Sequence, residues 1–180
     1  MLRPSKGFPA MSLNEPTARS ILEAAHAAWN RQDLEDMLTW YHDDIAYYNN
    51  AGGIDGNVVK LYRKSDMRAF LQPLLNVADC MSVPLTFNYR DGVGRAQVEV
   101  VIRHRRSGIK LKGTYRQFVT FQDLQIIAHE EFHDAARMKA FWAMVQSPAN
   151  PVEKNRTIIA KLLSQALRPQ PPCPPQPADE

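Results

Sequence analysis

Apolar residues in the first third of the chain return at helical intervals. After Pro16, a residue suited to a first helical turn, Ala18, Ile21, Leu22, Ala25 and Trp29 fall on one face. Asn30-Arg31-Gln32 interrupts that pattern, and Asp33 can cap a second helix whose stripe is Leu34, Met37, Leu38 and Tyr41. IAYYN at 45–49 is rich in strand formers, AGGIDGN at 51–57 reads as a loop, and Ser65 opens a third helix that Pro73 is expected to kink or end.

The period then changes. Residues 81–89, 95–105, 110–121 and 124–132 alternate as strands, separated by Asp91-Gly92, Ser107-Gly108 and Gln122-Asp123. Short turns of this kind predict antiparallel hairpins. Tyr115, Gln117, Val119 and Phe121 share one face of their strand, and Arg116 and Phe118 share the other. DAARMKAFWAMV at 134–145 is helical with Asp134 as cap, and a last amphipathic helix carries Ile158, Ile159, Leu162, Leu163 and Ala166. The expected organisation is an arm at 1–14, an α+β domain at 15–147, a helical extension at 148–168 and a disordered proline-rich tail at 169–180.

HEEFH at 129–133 matches the H-E-x-x-H pattern of zinc peptidases, and Glu153 has the spacing of a third ligand. On a helix, two histidines four apart lie about 6 Å from each other and can share an ion. On a strand they stand about 13 Å apart and cannot. The preceding VTFQDLQIIA is β-branched and aromatic, so the strand reading is preferred and no metal is expected. His129, Glu131 and His133 then share a face with Ile127, and Ala128, Glu130 and Phe132 take the other. A His-Glu-His face is costly to bury without water, partners or a ligand. Either it lines a cavity, with Glu131 and His129 as a tuned acid/base pair, or it is a polar strand face open to solvent.

Composition narrows the picture. The 180 residues are 44% hydrophobic and 23% charged with net charge +3, enough for one core and too weakly basic to argue for nucleic acid. RHRR at 103–106 reads as a solvated hairpin tip. Two distant cysteines, Cys80 and Cys173, suggest neither a disulfide framework nor a cysteine-based metal site, and a cytoplasmic location is expected. No apolar run reaches the roughly 18 residues of a membrane helix, so no membrane partner is expected. MLRPSKGFPAMSL has no apolar signal core, and Met11 is an alternative start. Neither G-x-G-x-x-G nor a phosphate loop occurs, so no cofactor is expected.

WNRQDLEDML, then HDDIAYY, a glycine loop, a short helix and a sheet ending in EEFHD resemble the nuclear-transport-factor-2-like superfamily, and within it the SnoaL-like polyketide cyclase branch, over about residues 16–145. The resemblance implies a curved antiparallel sheet wrapped on three N-terminal helices as a cone with a pocket inside, C-terminal helices, and commonly a homodimer through the sheet. Members isomerise, cyclise, dehydrate or hydrolyse small molecules, and others only bind ligands or proteins; fold alone does not choose. The position of an isomerase-type base is Asn49, which cannot abstract a proton, and that of its partner tyrosine is Ala25. Glu131 keeps the acid of epoxide-hydrolase-like members, but no Arg-x-Asp stands on an earlier strand. Asp134 is nearest to the acid/base aspartate of SnoaL-like cyclases, but its residue type and place favour a helix cap. Leu124 replaces the family's frequent glycine after Asp123, and a left-handed leucine costs about 1–2 kcal/mol, so a different turn is expected.

Two functions follow. One is a cofactor-free enzyme on a small hydrophobic molecule, with Glu131, Asp134 and His129 as candidate catalytic groups and Trp29, Tyr47, Asn49, Arg116 and His133 as candidate substrate contacts. The other is a non-catalytic dimeric module that binds a ligand or a protein.

Overall fold

The computed structural model describes residues 13–147. The expected extension and tail beyond 147, and all but the end of the arm, lie outside them. Asn14 caps α1 (Glu15–Asn30) by accepting from the Thr17 amide, and Asp33 caps α2 (Leu34–Thr39) by accepting from Asp36. β1 (Tyr41–Asn49) follows directly, so Tyr41 belongs to the strand and not to the helical stripe. A short β2 (Val59–Leu61), which its composition does not announce, precedes α3 (Lys64–Val77). Pro73 lies inside α3 without ending it. The proline is exposed, so the Ala69 carbonyl it leaves unbonded is at the surface, while Met67, Leu71 and Leu75 hold the opposite face in the core.

Four long strands follow: β3 (Ala78–Arg90), β4 (Val93–His104), β5 (Lys110–Gln122) and β6 (Gln125–Phe132), then α4 (Ala135–Gln146). The sheet order is β2-β1-β6-β5-β4-β3. β3 to β6 form an antiparallel meander, and β1 lies parallel to β6, with Tyr47 beside His129 and Asn49 beside Glu131. This is the expected α+β architecture, a curved unclosed sheet with the N-terminal helices against its concave face. The basic hairpin tip is fastened, since Arg103 and Arg105 both pair with Asp79 at the start of β3.

Three register shifts interrupt the sheet, one of them between Tyr41 and Ala46 where β1 pairs with β6. In the others, pairing slips by one residue at Leu85 in β3 and at Ile127 in β6. The slip in β6 corrects the expected face: Ile127 is the extra residue of a bulge, so Ile126, fully buried, shares the inner face with His129. The last hairpin also differs from expectation. Asp123 and Leu124 both have positive φ, 50° and 63°, so the two-residue turn is left-handed throughout despite the leucine. The right-handed twist of the flanking strands requires it, because a turn of opposite hand would splay them. Leu124→Gly should therefore raise stability by about 1 kcal/mol, read as a higher denaturant midpoint at unchanged slope.

Candidate functional site

β6 runs through HEEF to Phe132, His133 follows it directly, and α4 starts only at Ala135. His129, Glu131 and His133 point inward, and Glu131 is the middle of the three. Each imidazole is thus two residues away along the strand, close enough to lean onto it. His129 Nε2 lies 3.1 Å from one carboxylate oxygen, and His133 Nε2 lies 3.1 Å from the other. β1 adds two donors from the neighbouring register: the Tyr47 hydroxyl donates to Glu131 over 3.2 Å, and the Asn49 amide donates to the same oxygen. Asn49 is fixed in turn by accepting from the Ala51 amide at 2.9 Å.

The carboxylate keeps only 14% of its side chain exposed. Burial pushes its pKa up. The hydrogen bonds and charge supplied by His129 and His133 outweigh that and hold it below the ordinary carboxylate range, so Glu131 is ionised at neutral pH. The phenols of Tyr41, Tyr47 and Tyr115 move the other way, raised by burial first and by the Glu131 charge second, and remain protonated donors.

A buried relay continues from His129. Its Nδ1 is 3.0 Å from the Tyr41 hydroxyl, and its Nε2 is 2.7 Å from the Gln117 amide nitrogen. The Gln117 oxygen is 3.1 Å from His26 Nε2, and His26 Nδ1 is 2.6 Å from the Ser82 hydroxyl. In that amide orientation His129 Nε2 accepts from Gln117 and faces Glu131 lone pair to lone pair. Half a turn of the amide, which exchanges its two ends in place, removes the conflict. His129 Nε2–H then donates to Glu131 and the Gln117 oxygen, the Gln117 amide donates to His26, and His26 Nδ1–H donates to Ser82. An ionised Glu131 selects this second orientation. His133 completes the group: it stacks on Tyr115 at 4.2 Å, and its Nδ1 has no hydrogen-bond partner among the described residues.

These side chains line one cavity of about 90 Å³, walled also by Trp29, Phe70, Leu74, Met138 and their neighbours. Six expected site residues meet there: Trp29, Tyr47, Asn49, His129, Glu131 and His133. Two do not. Arg116 is exposed on the convex face, because Gln117 takes the inward position of β5. Asp134 is exposed past the end of β6 and accepts from the Arg137 amide at 3.1 Å as the cap of α4. Sequence reasoning passed over His26, although it is a polar residue set within the apolar stripe of α1, and Ser82, which carries no signal of its own. Among the described residues no three His, Cys, Asp or Glu side chains are grouped to hold a metal ion, and no helix is long and apolar enough to cross a membrane.

The family model of the SnoaL-like domain matches residues 22–129. The chain belongs to this family. Among solved structures, a proposed polyketide cyclase from Xanthomonas campestris pv. campestris is 17% identical, with 72% of this chain and 99% of that one covered and a TM-score of 0.63. An NTF2-like protein of unknown function from Burkholderia pseudomallei is 14% identical over 68% and 94%, at 0.60. An LEH-like epoxide hydrolase from M. tuberculosis is 11% identical over 83% and 97%, also at 0.60. At these identities the likeness is one of fold. No curated protein sequence matches the chain.

The relay of this SnoaL-like protein couples its stability to pH. Burial lowers the His26 pKa from 6.5 to about 4. Between those values the unfolded chain takes up a proton that the folded chain refuses, so stability falls as pH drops from 6.5 to about 4. The loss attributable to His26 should approach about 3 kcal/mol. Glu131 adds a separate loss only as pH falls below its unfolded value, about 4.3. Denaturation in urea at a series of pH values should show both windows, with His26→Gln flattening the upper one alone.

Proposed function

We propose that this protein is a cofactor-free acid/base enzyme acting on a small, uncharged, largely apolar molecule, with Glu131 and His133 at the reacting end of the cavity. The convergence of four donors on one ionised carboxylate beside a free imidazole nitrogen carries this reading. Glu131 is too well satisfied to be a strong base itself. Its value is to accept the Nε2–H of His133, which leaves the Nδ1 lone pair as the basic site and stabilises the imidazolium once a proton arrives. His129, with both nitrogens engaged, holds Glu131 in place. Among the described residues the cavity lining includes no lysine or arginine, so an anionic ligand would lie beside Glu131 without a formal counter-charge from them. Hydrophobic walls and the presence of polyketide-cyclase and epoxide-hydrolase proteins of the same fold agree with a small organic substrate.

The test uses two probe panels: cyclic ketones, followed by NMR for deuterium uptake beside the carbonyl, and simple epoxides, followed for diol formation. Turnover by the wild type should fall at least about a hundredfold in Glu131→Gln and in His133→Gln. Asp134→Ala should keep the rate and lose only about 1 kcal/mol of stability as a missing cap. A folded Glu131→Gln protein with undiminished turnover would sink the assignment.

A homodimer through the convex sheet face accompanies this reading. Met81, Val83 and Leu85 on β3 remain about half exposed there, at 51%, 47% and 54%. Sedimentation should give two chains for the wild type and one folded chain for Val83→Lys, whose thermal midpoint should be lower and independent of protein concentration.

A further inference from the structure

A second concavity adjoins the cavity. It is a groove of about 360 Å³ between the glycine-bearing loop and α3, lined by Ile54, Val58, Ala69 and Pro73 among others. Gly52, Phe70 and Leu74 line both spaces. Phe70 and Leu74 are one helical turn apart on α3, so the chamber and the groove border the same pair of side chains and meet there. Phe70 also touches the site directly, its ring centroid 6.3 Å from that of Tyr47.

The loop is pressed against the same residues. A Cβ on Gly52 would come within 2.7 Å of the Asn49 side chain, which holds Glu131. On the groove side, Ile54 and Val58 are 40% and 57% exposed. The charged residue of the groove, Asp55, is exposed at its rim and folds back on its own loop, accepting from the Asn57 backbone and side-chain amides at 2.9 and 2.7 Å. An apolar surface is thus left open beside the polar chamber, and the loop that forms it is anchored at its middle by the Gln146 side chain donating to the Ile54 carbonyl at 2.7 Å.

Size decides what such a pair of spaces accepts. Pockets that enclose a small organic ligand measure about 300–1,000 Å³. The inner chamber, at about 90 Å³, holds only a head group, whereas the groove has room for a chain. We propose that the ligand is an elongated amphiphile, with a compact polar head in the chamber beside His133 and Glu131 and an apolar tail passing Phe70 and Leu74 into the groove. This inference rests on the reading of the cavity as a small-molecule site and adds to it the class of molecule and the residues that measure its length.

The test is calorimetric titration of the full chain with phenol and its 4-ethyl, 4-butyl and 4-hexyl derivatives. The phenol hydroxyl can donate to His133 Nδ1, and the alkyl group projects away from it. Affinity should rise about three- to fourfold per added methylene once the tail reaches the groove. Ala69→Trp fills the groove from an exposed helix position, and Val58→Asp charges its rim. Each should flatten the gain for butyl and hexyl while leaving phenol binding and the thermal midpoint unchanged. A chain-length gain that persists in both variants overturns the tail site. So does a wild type with no gain at all, as when a second copy or another part of the chain already covers the groove. Failure of every member to bind, phenol included, overturns the cavity reading itself.

Discussion

Glu131 is a carboxylate that has left most of its water without losing its charge. Moving such an ion out of solvent costs several kcal/mol even after the protein relaxes, and only good hydrogen-bond geometry offsets it. The donors come from both sides along the same strand, His129 and His133, and from the parallel neighbour, Tyr47 and Asn49. The direction of β1, the bulge at Ile127 and the close approach of the Gly52 backbone to Asn49 all bear on those four positions. Replacing any one donor by an apolar residue would leave a charge short of a partner, and the penalty for that exceeds the modest worth of the bond removed.

The charge on Glu131 is also felt some distance away. Because His129 can face an ionised Glu131 only with its proton on Nε2, the Gln117 amide is oriented, and with it the tautomer of His26 and the hydrogen bond to Ser82. A proton placed on Glu131 reverses the preference at each link. The relay therefore has two self-consistent hydrogen-bond patterns on nearly one set of heavy-atom positions, and the state of the carboxylate chooses between them.

Much of this was legible in the sequence where a local rule governed. The helix cap at Asp33, the meander and the extended strand through HEEF all follow from spacing and side-chain type, whereas the cap at Asn14 lay in what reads as an arm. Where tertiary demands outweighed local preference, the sequence misled. Leu124 accepts a left-handed conformation because the hairpin twist is worth more than its strain, and Ile127 gives up its face to a bulge that alternation cannot announce. Asp134 reads as a helix cap ahead of an acid, and the structure makes it the cap of α4. His26 was hidden by its setting: on an apolar helical face a single histidine looks like an exception until Gln117 and Ser82, 91 and 56 residues distant, are known to meet it.

The parallel pairing of β1 with β6 has a temporal consequence. Tyr47 and Asn49 emerge early from a ribosome, but their strand finds its neighbour only after residues 126–131 have been made. The meander can zip up hairpin by hairpin from local contacts, whereas this last seam closes a loop spanning most of the domain and carries the entropic cost of doing so. Nascent chains that have not yet reached Phe132 must hold β1 with one edge unpaired, and the polar cluster comes together only when that seam shuts.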